Sequence, residues 1–325
     1  MPRQETLIIG SRGSPLARAQ AEATRDALIA AHPGLAAGAV GLRIIRTGGD
    51  RIIDRPLAEV GGKGLFTREI EQALLERSID IAVHSMKDMP TALPDGLVIG
   101  CVPAREDARD ALIGPAISNA AGDFESGAPG LVLGTSSLRR RAQALYRWPG
   151  LRVVDFRGNV GTRLKKLKAG VADATLLAQA GINRLGLTAI SAQPLALDSW
   201  LPAVGQGALA IEIRAGDRRM ADMLAPLADA AATACTTAER AMLEVLDGSC
   251  RTPIAGHATI DGDGRLHLRG AVFMPDGSAL WQAEGRGEAD RASALGAGVG
   301  GRLRAAAGEP YFAAIAGSEA ATGPA

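Results

Sequence analysis

Five arginines stand just past short apolar runs that read as strands: Arg12 after Thr6–Gly10, Arg139 and Arg140 after Leu131–Gly134, and Arg157 and Arg163 after Leu151–Phe156. Arginine presents a planar fork of donors matched to carboxylates. Ser14 and Ser137, placed as helix N-caps, open helices whose unpaired N–H groups attract anions. One such arginine is simplest as a surface ion pair, whereas five at strand ends suit a ligand that carries several carboxylates. Asp88 is the acid of the loop His84–Pro90, with Lys87 beside it. It reads either as a general acid or cation-stabilising carboxylate, or as an Asx-type turn ahead of Pro90. Lys87 is a Schiff-base candidate, although pairing with Asp88 is the simpler reading. Cys250 lies in Asp247–Pro253, where small residues leave its sulfur accessible, but a lone loop cysteine is more often inert than reactive. Cys101 reads as core, and Cys235 begins a helix. The loop Gly61-Gly62-Lys63-Gly64 lacks both the Ser/Thr after the lysine and the glycine spacing of a phosphate-binding loop, so a nucleotide site is excluded. It reads as a mobile cover with Lys63 and Phe66 at its tip.

These residues need elements to position them. Ser14 followed by Pro15 opens a helix running to about Ala31. A strand over Leu42–Arg46, a helix over about Thr67–Arg77, and strands over Ile79–His84 and Leu97–Val102 follow. The pattern restarts with Leu131–Gly134, a helix to about Tyr146, Leu151–Phe156, a helix over Val160–Ala169, a strand over Ala174–Leu177, a short helix to Leu185, and a strand over Leu209–Ile213. Strand–helix alternation predicts α/β architecture with a parallel sheet. The last hundred residues differ. A helix over Thr236–Leu246 precedes three alternating runs, Ile254–Ile260, Leu266–Phe273 and Ala279–Glu284, separated by Asp-Gly and Pro-Asp-Gly turns. A helix over Asp290–Ala307 closes this small α+β domain, and the tail after Ala316 is expected to fray.

Composition sets the limits. The 325 residues suit two or three domains, and the 47 % hydrophobic and 22 % charged content is that of a globular chain. With 36 basic and 35 acidic side chains the net charge is +1, which argues against a general nucleic-acid binder. Of the basic residues 31 are Arg and five Lys. GC-rich coding is the plain cause, and carboxylate recognition the functional one. Three cysteines build no disulfide framework and no metal spacing. With no apolar leader and no bilayer-length stretch, the expectation is a cytoplasmic protein without membrane contact.

Taken together, several segments resemble one family, the hydroxymethylbilane synthases or porphobilinogen deaminases. They are Ser11–Ala17, Gly61–Phe66, Val83–Pro90, Gly134–Arg140, Arg157–Leu164, Leu201–Ala208 and the Cys250 loop, where Ser249 replaces the second of two glycines common in the family. The resemblance covers about residues 7–255. It implies two α/β domains similar to the lobes of a periplasmic binding protein, at 1–103 with 206–226 and at 104–205. A C-terminal α+β domain with a three-stranded antiparallel sheet, at 227–325, would carry the cysteine. It implies a monomer with a dipyrromethane cofactor held by a thioether to Cys250. Four porphobilinogen molecules would be joined head to tail with loss of ammonia, and water would release hydroxymethylbilane. Carried over by motif, Arg12, Arg139, Arg140, Arg157, Arg163 and Arg184 would hold carboxylates, and Ser14, Lys87, Ser137 and Asn159 would add hydrogen bonds. Asp88 would assist ammonia loss and stabilise the cationic azafulvene. The alternative from another class is a two-lobed binding protein for a polycarboxylate, which leaves Asp88 and the loop cysteine unexplained.

Overall fold

The computed structural model describes residues 6–36, 38–51, 64–114, 130–248 and 252–320. The strands in chain order are β1 (Leu7–Arg12), β2 (Val40–Ile45), β3 (Ile81–Ser85), β4 (Leu97–Cys101), β5 (Asp110–Ile113), β6 (Val132–Gly134) and β7 (Arg152–Val154). They continue with β8 (Ala174–Ala178), β9 (Ala192–Pro194), β10 (Leu209–Arg214), β11 (Ile254–Ile260), β12 (Leu266–Phe273) and β13 (Leu280–Gly287). The helices are α1 (Pro15–Ala31), α2 (Gly48–Arg51), α3 (Arg68–Leu75), α4 (Leu138–Arg147), α5 (Val160–Lys168), α6 (Gln179–Arg184), α7 (Arg218–Leu224), α8 (Ala230–Val245) and α9 (Ala292–Ala320).

The described residues group into two compact units. One takes 6–36, 38–51, 64–106 and 208–233, and the other the remainder. In the first unit a five-stranded sheet has the order β2-β1-β3-β10-β4. Leu7, Ile9, Leu28 and Ile211 fill one core cluster, and Ile70, Leu74 and Ile79 another. Covering both faces with apolar residues lets the central strands read as continuous apolar runs. In the second unit a five-stranded sheet has the order β7-β6-β8-β5-β9, and β11-β12-β13 form an antiparallel sheet against α9. Glu239 of α8, fully buried, accepts the N–H of Gly205 at 2.6 Å and that of Ala258 on β11 at 2.8 Å, joining the Leu201–Ala208 segment to the small sheet.

Neither five-stranded sheet is wholly parallel, contrary to the expectation from alternation. β10 runs antiparallel to β3 and β4, and β5 antiparallel to β8 and β9. A parallel neighbour needs a crossover connection over the sheet, and the strand before each of these two belongs to the other five-stranded sheet, β4 before β5 and β9 before β10. The short strands β5 and β9 and the helix α7 carry too little periodicity to read in advance. The C-terminal helix also outruns expectation. It leaves helical geometry at Gly308 (φ 62°) and resumes to Ala320, where fraying was expected after Ala316.

Candidate active site

In the first unit, Arg12 is the last residue of β1, paired with Ile45, and not part of the following turn. Its guanidinium carbon lies 4.2 Å from the centroid of the Phe66 ring, a cation–π contact. Ser14 caps α1 by accepting the Ala17 N–H at 3.2 Å on its Oγ, with Pro15 in the first turn. The buried Ser11 hydroxyl donates to the Ala17 carbonyl at 3.0 Å, tying strand end to helix start. β3 runs directly into a single 3-10 turn, Met86–Asp88. The Met86 N–H donates to the Ala208 carbonyl at 3.0 Å, and the Met89 N–H closes the turn on the Met86 carbonyl at 3.1 Å. Met86 and Met89 are buried, Lys87 half-buried and Asp88 exposed. Two apolar anchors therefore hold the turn while its carboxylate faces outward.

In the second unit the organising group is Asp110, the first residue of β5, completely buried. Its Oδ1 accepts from Arg140 Nη2 at 2.7 Å, Arg140 Nε at 3.2 Å and Gln206 Nε2 at 2.8 Å. Its Oδ2 accepts from Arg139 Nη2 at 2.8 Å and Trp200 Nε1 at 2.8 Å. Burial by itself would raise the Asp110 pKa. The charges of Arg139 and Arg140, with hydrogen bonds from Arg140 and Trp200, instead hold it far below the usual carboxylate range. Arg139 and Arg140 are themselves only 5 % exposed and donate onward to the carbonyls of Leu201 and Leu176. Ser137 caps their helix, its Oγ accepting the Arg140 N–H at 3.4 Å.

Arg157 and Arg163 flank the next strand–helix turn. Gly158 between β7 and α5 has φ 120°, and a Cβ there would meet Thr162 at 2.6 Å, so only glycine fits. Asn159 caps α5, its Oδ1 accepting the Thr162 N–H at 2.9 Å. Arg163 Nε donates to the Gly158 carbonyl at 2.8 Å. Burial pushes the Arg163 pKa down to about 10, the charges of Arg140 and Arg157 add to this, and Asp155 partly offsets it. Arg157 Nη1 and Arg139 Nε are buried with no hydrogen-bond partner among the described residues. Arg184 Nη2 donates to the Gly207 carbonyl at 2.7 Å. The second unit thus gathers guanidinium groups around one buried carboxylate and leaves positive donors unsatisfied, as a site for carboxylates requires. Cys250 and Lys63 lie outside the described residues.

A family model described as the dipyrromethane cofactor binding domain of porphobilinogen deaminase matches residues 7–222. A second, for the C-terminal domain of porphobilinogen deaminase, matches residues 233–305. The chain belongs to the porphobilinogen deaminase family. A porphobilinogen deaminase of Paracoccus denitrificans is 54 % identical over 309 residues, 95 % of this chain and 97 % of its own. One of Nitrobacter hamburgensis is 50 % identical over 310 residues, 95 % of this chain and 96 % of its own. A chloroplastic porphobilinogen deaminase of rice is 50 % identical over 307 residues, 94 % of this chain and 85 % of its own. Among solved structures, an ancestral cationic amino acid solute-binding protein covers 69 % of this chain and 89 % of its own, at 13 % identity and a TM-score of 0.40.

The span matched by the cofactor-domain model contains every arginine named above. Sequence reasoning missed Asp110, which pairs with Arg139 and Arg140, and Trp200 and Gln206, which donate to Asp110. Asp110 carried one faint signal, an acid heading the apolar run Ala111–Ile113. It also missed the buried Glu71 and Glu212, and treated His84 only as the end of a strand.

Proposed function

We propose that the arginine cluster holds the acetate and propionate groups of a dipyrromethane attached through Cys250, and that Asp88 carries the chemistry of a porphobilinogen-polymerising transferase. As a family member the enzyme joins four porphobilinogen molecules head to tail with loss of ammonia and releases hydroxymethylbilane. The observation that carries the carboxylate assignment is the surplus of buried guanidinium donors, with Arg139 Nε and Arg157 Nη1 unpartnered among the described residues. A hydrogen bond to a charged group contributes about 1.5–3 kcal/mol, so several together retain a polyanionic chain between additions. Arg12 and Arg184 extend the set. Lys87, Ser14, Ser137 and Asn159 add neutral or single-charge bonds, since a hydroxyl that accepts a cap bond still has its own proton to donate. Phe66, whose ring lies against the Arg12 guanidinium, adds an apolar wall beside that cation.

When bound, the dipyrromethane supplies the pyrrole end on which the chain is built. Asp88 gives a proton toward the departing amine of porphobilinogen. The carbon–nitrogen bond breaks with its electron pair leaving on ammonia, and the Asp88 carboxylate then faces the positive pyrrole methylene. Attachment at Cys250 is supported by the other two thiols. Cys101 is buried and its pKa is pushed up to about 11 by that burial, and Cys235 is buried on α8. A three-domain division at 1–103 with 206–226, 104–205 and 227–325, a monomeric state and a cytoplasmic location complete the proposal. No helix among the described residues is long and apolar enough to cross a membrane. The polycarboxylate-binding alternative accounts for the arginines but not for the family match.

Intact mass tests the attachment. Protein from cells that make porphobilinogen should be heavier than its sequence by two linked pyrrole units, and Cys250→Ser should remove the excess. An unmodified mass for the wild-type protein would overturn it.

A further inference from the structure

Behind the Asp88 turn, the first unit buries three titratable groups on three elements: His84 on β3, Glu212 on β10 and Glu71 on α3, at 5 %, 0 % and 5 % exposure. His84 Nε2 lies 3.1 Å from Glu212 Oε2. The register pairs Ala210 with His84 and Ala82 with Glu212, so the two are diagonal neighbours on one face of the sheet. Glu71 feels the charge of both. Glu71 Oε1 and Glu212 Oε1 are each buried with no hydrogen-bond partner among the described residues.

Two carboxylates enclosed with one imidazole cannot both stay charged at low cost. Glu71 is the carboxyl whose pKa burial raises, and the Glu212 Oε2–His84 Nε2 contact gives the other acid a polar partner. Burial drives the Glu71 pKa upward and the Glu212 charge adds to this, while the Thr67 hydroxyl, His84 and Arg68 pull against it. The other cation on this face of β10, Arg214, is engaged elsewhere. It pairs with Asp217 at 2.9 Å and donates to the carbonyls of Leu74 and Ile79.

The His84–Glu212 contact joins the two strands that present the turn. Their pairing continues through Ser85 and Leu209 to the Met86 N–H on the Ala208 carbonyl, and the next residues are Lys87 and Asp88. We propose that His84, Glu212 and Glu71 are positioning residues for the reaction: a buried polar set that locks β3 to β10 and thereby fixes the Asp88 carboxylate. This rests on the reading of Asp88 as the acid. A hydrogen-bonded pair that spans a strand end resists the small displacements to which proton transfer is most sensitive.

The experiment compares variants whose mass shows a fully assembled cofactor. Glu212→Gln should lower kcat at least about tenfold with KM within about twofold, because misplacing a catalytic group slows chemistry without weakening binding. It should also shift the pH profile of kcat. In an Asp88→Asn background the same change should add little, since the two act through one group. A wild-type kcat and pH profile in Glu212→Gln, even with a lower Tm, overturns the proposal, as does full additivity with Asp88→Asn. An Asp88→Asn enzyme at the wild-type rate is a different failure, that of the Asp88 reading, and this proposal falls with it. Should Glu212→Gln not fold, Glu71 decides. Glu71→Gln keeps the neutral shape and should retain most of the kcat that Glu71→Ala loses, and equal losses overturn the proposal.

Discussion

The two five-stranded sheets share a strand order, and each has an antiparallel strand in the fourth position, β10 in one and β5 in the other. Each of those strands buries an acid, Glu212 on β10 and Asp110 on β5. Their surroundings differ in sign. Asp110 meets two guanidinium groups and is held far below the usual range, while Glu212 meets a histidine and Glu71, whose own pKa is driven up. Strand order therefore sets where a buried acid sits, and the neighbouring side chains set what it does. In one unit the acid pairs with two buried arginines. In the other it lies on the strand paired with β3, which runs into the turn that carries the exposed Asp88.

The sharpest break of this comparison is Asp110→Asn. It keeps the shape but leaves Arg139 and Arg140 buried without their counter-charge. Breaking a buried ion pair from one side typically costs about 3–5 kcal/mol, and urea unfolding should show a loss of that size together with failed cofactor assembly. A loss below about 1 kcal/mol, as for an exposed pair, would mean that the two guanidinium groups are balanced by something other than Asp110. By the same logic Asp110 stabilises the fold above the ordinary carboxylate range, and that contribution disappears only as pH falls through its strongly depressed native value.

Asp88→Asn comes next. It should melt close to wild type, because the side chain is exposed, yet turn over at least about a hundredfold more slowly, the scale of a lost general acid. Asp88→Glu should retain more activity than Asp88→Asn, since the charge survives on a longer arm. If Asp88 served only its turn, asparagine would leave steady-state product formation nearly intact.

Glu71 sharpens the contrast through pH. Its native pKa is raised, so the folded state holds the proton more tightly than the unfolded chain. Its stabilising contribution is complete below its ordinary value of 4.5 and is lost as pH rises through the raised native value. Glu71→Gln cannot ionise, so its Tm should fall less than that of wild type as pH is raised above this range. Parallel Tm–pH curves would mean that Glu71 is already charged in the fold. The smallest effect belongs to Lys166→Ala on α5. Its Nζ lies 5.9 Å from the Phe156 centroid, and a change there should stay within about 0.5 kcal/mol by thermal unfolding.

Much of the scaffold was legible in the sequence. Ser14 with Pro15 and Ser137 mark helix starts and are observed caps, while the cap at Asn159 was not read in advance. The runs Ile254–Ile260 and Leu266–Phe273 are strands over those same residues. Caps, turns and periodicity act across three or four neighbouring residues, so the chain states them locally. The arginines beyond the second unit's strand ends were legible for the same reason, whereas Arg12 is itself the last residue of β1, and the loop read after β3 is a 3-10 turn at Met86–Asp88. What surrounds a buried charge was not. Asp110 is served by Arg140 from 30 positions away, by Trp200 from 90 and by Gln206 from 96, and His84 meets Glu212 across 128. The antiparallel entry of β5 and β10 likewise depends on which strands are already adjacent. No local pattern records such partners, because the cost of burying a charge, and the need to pair it, arises only once the tertiary fold has removed the water around it.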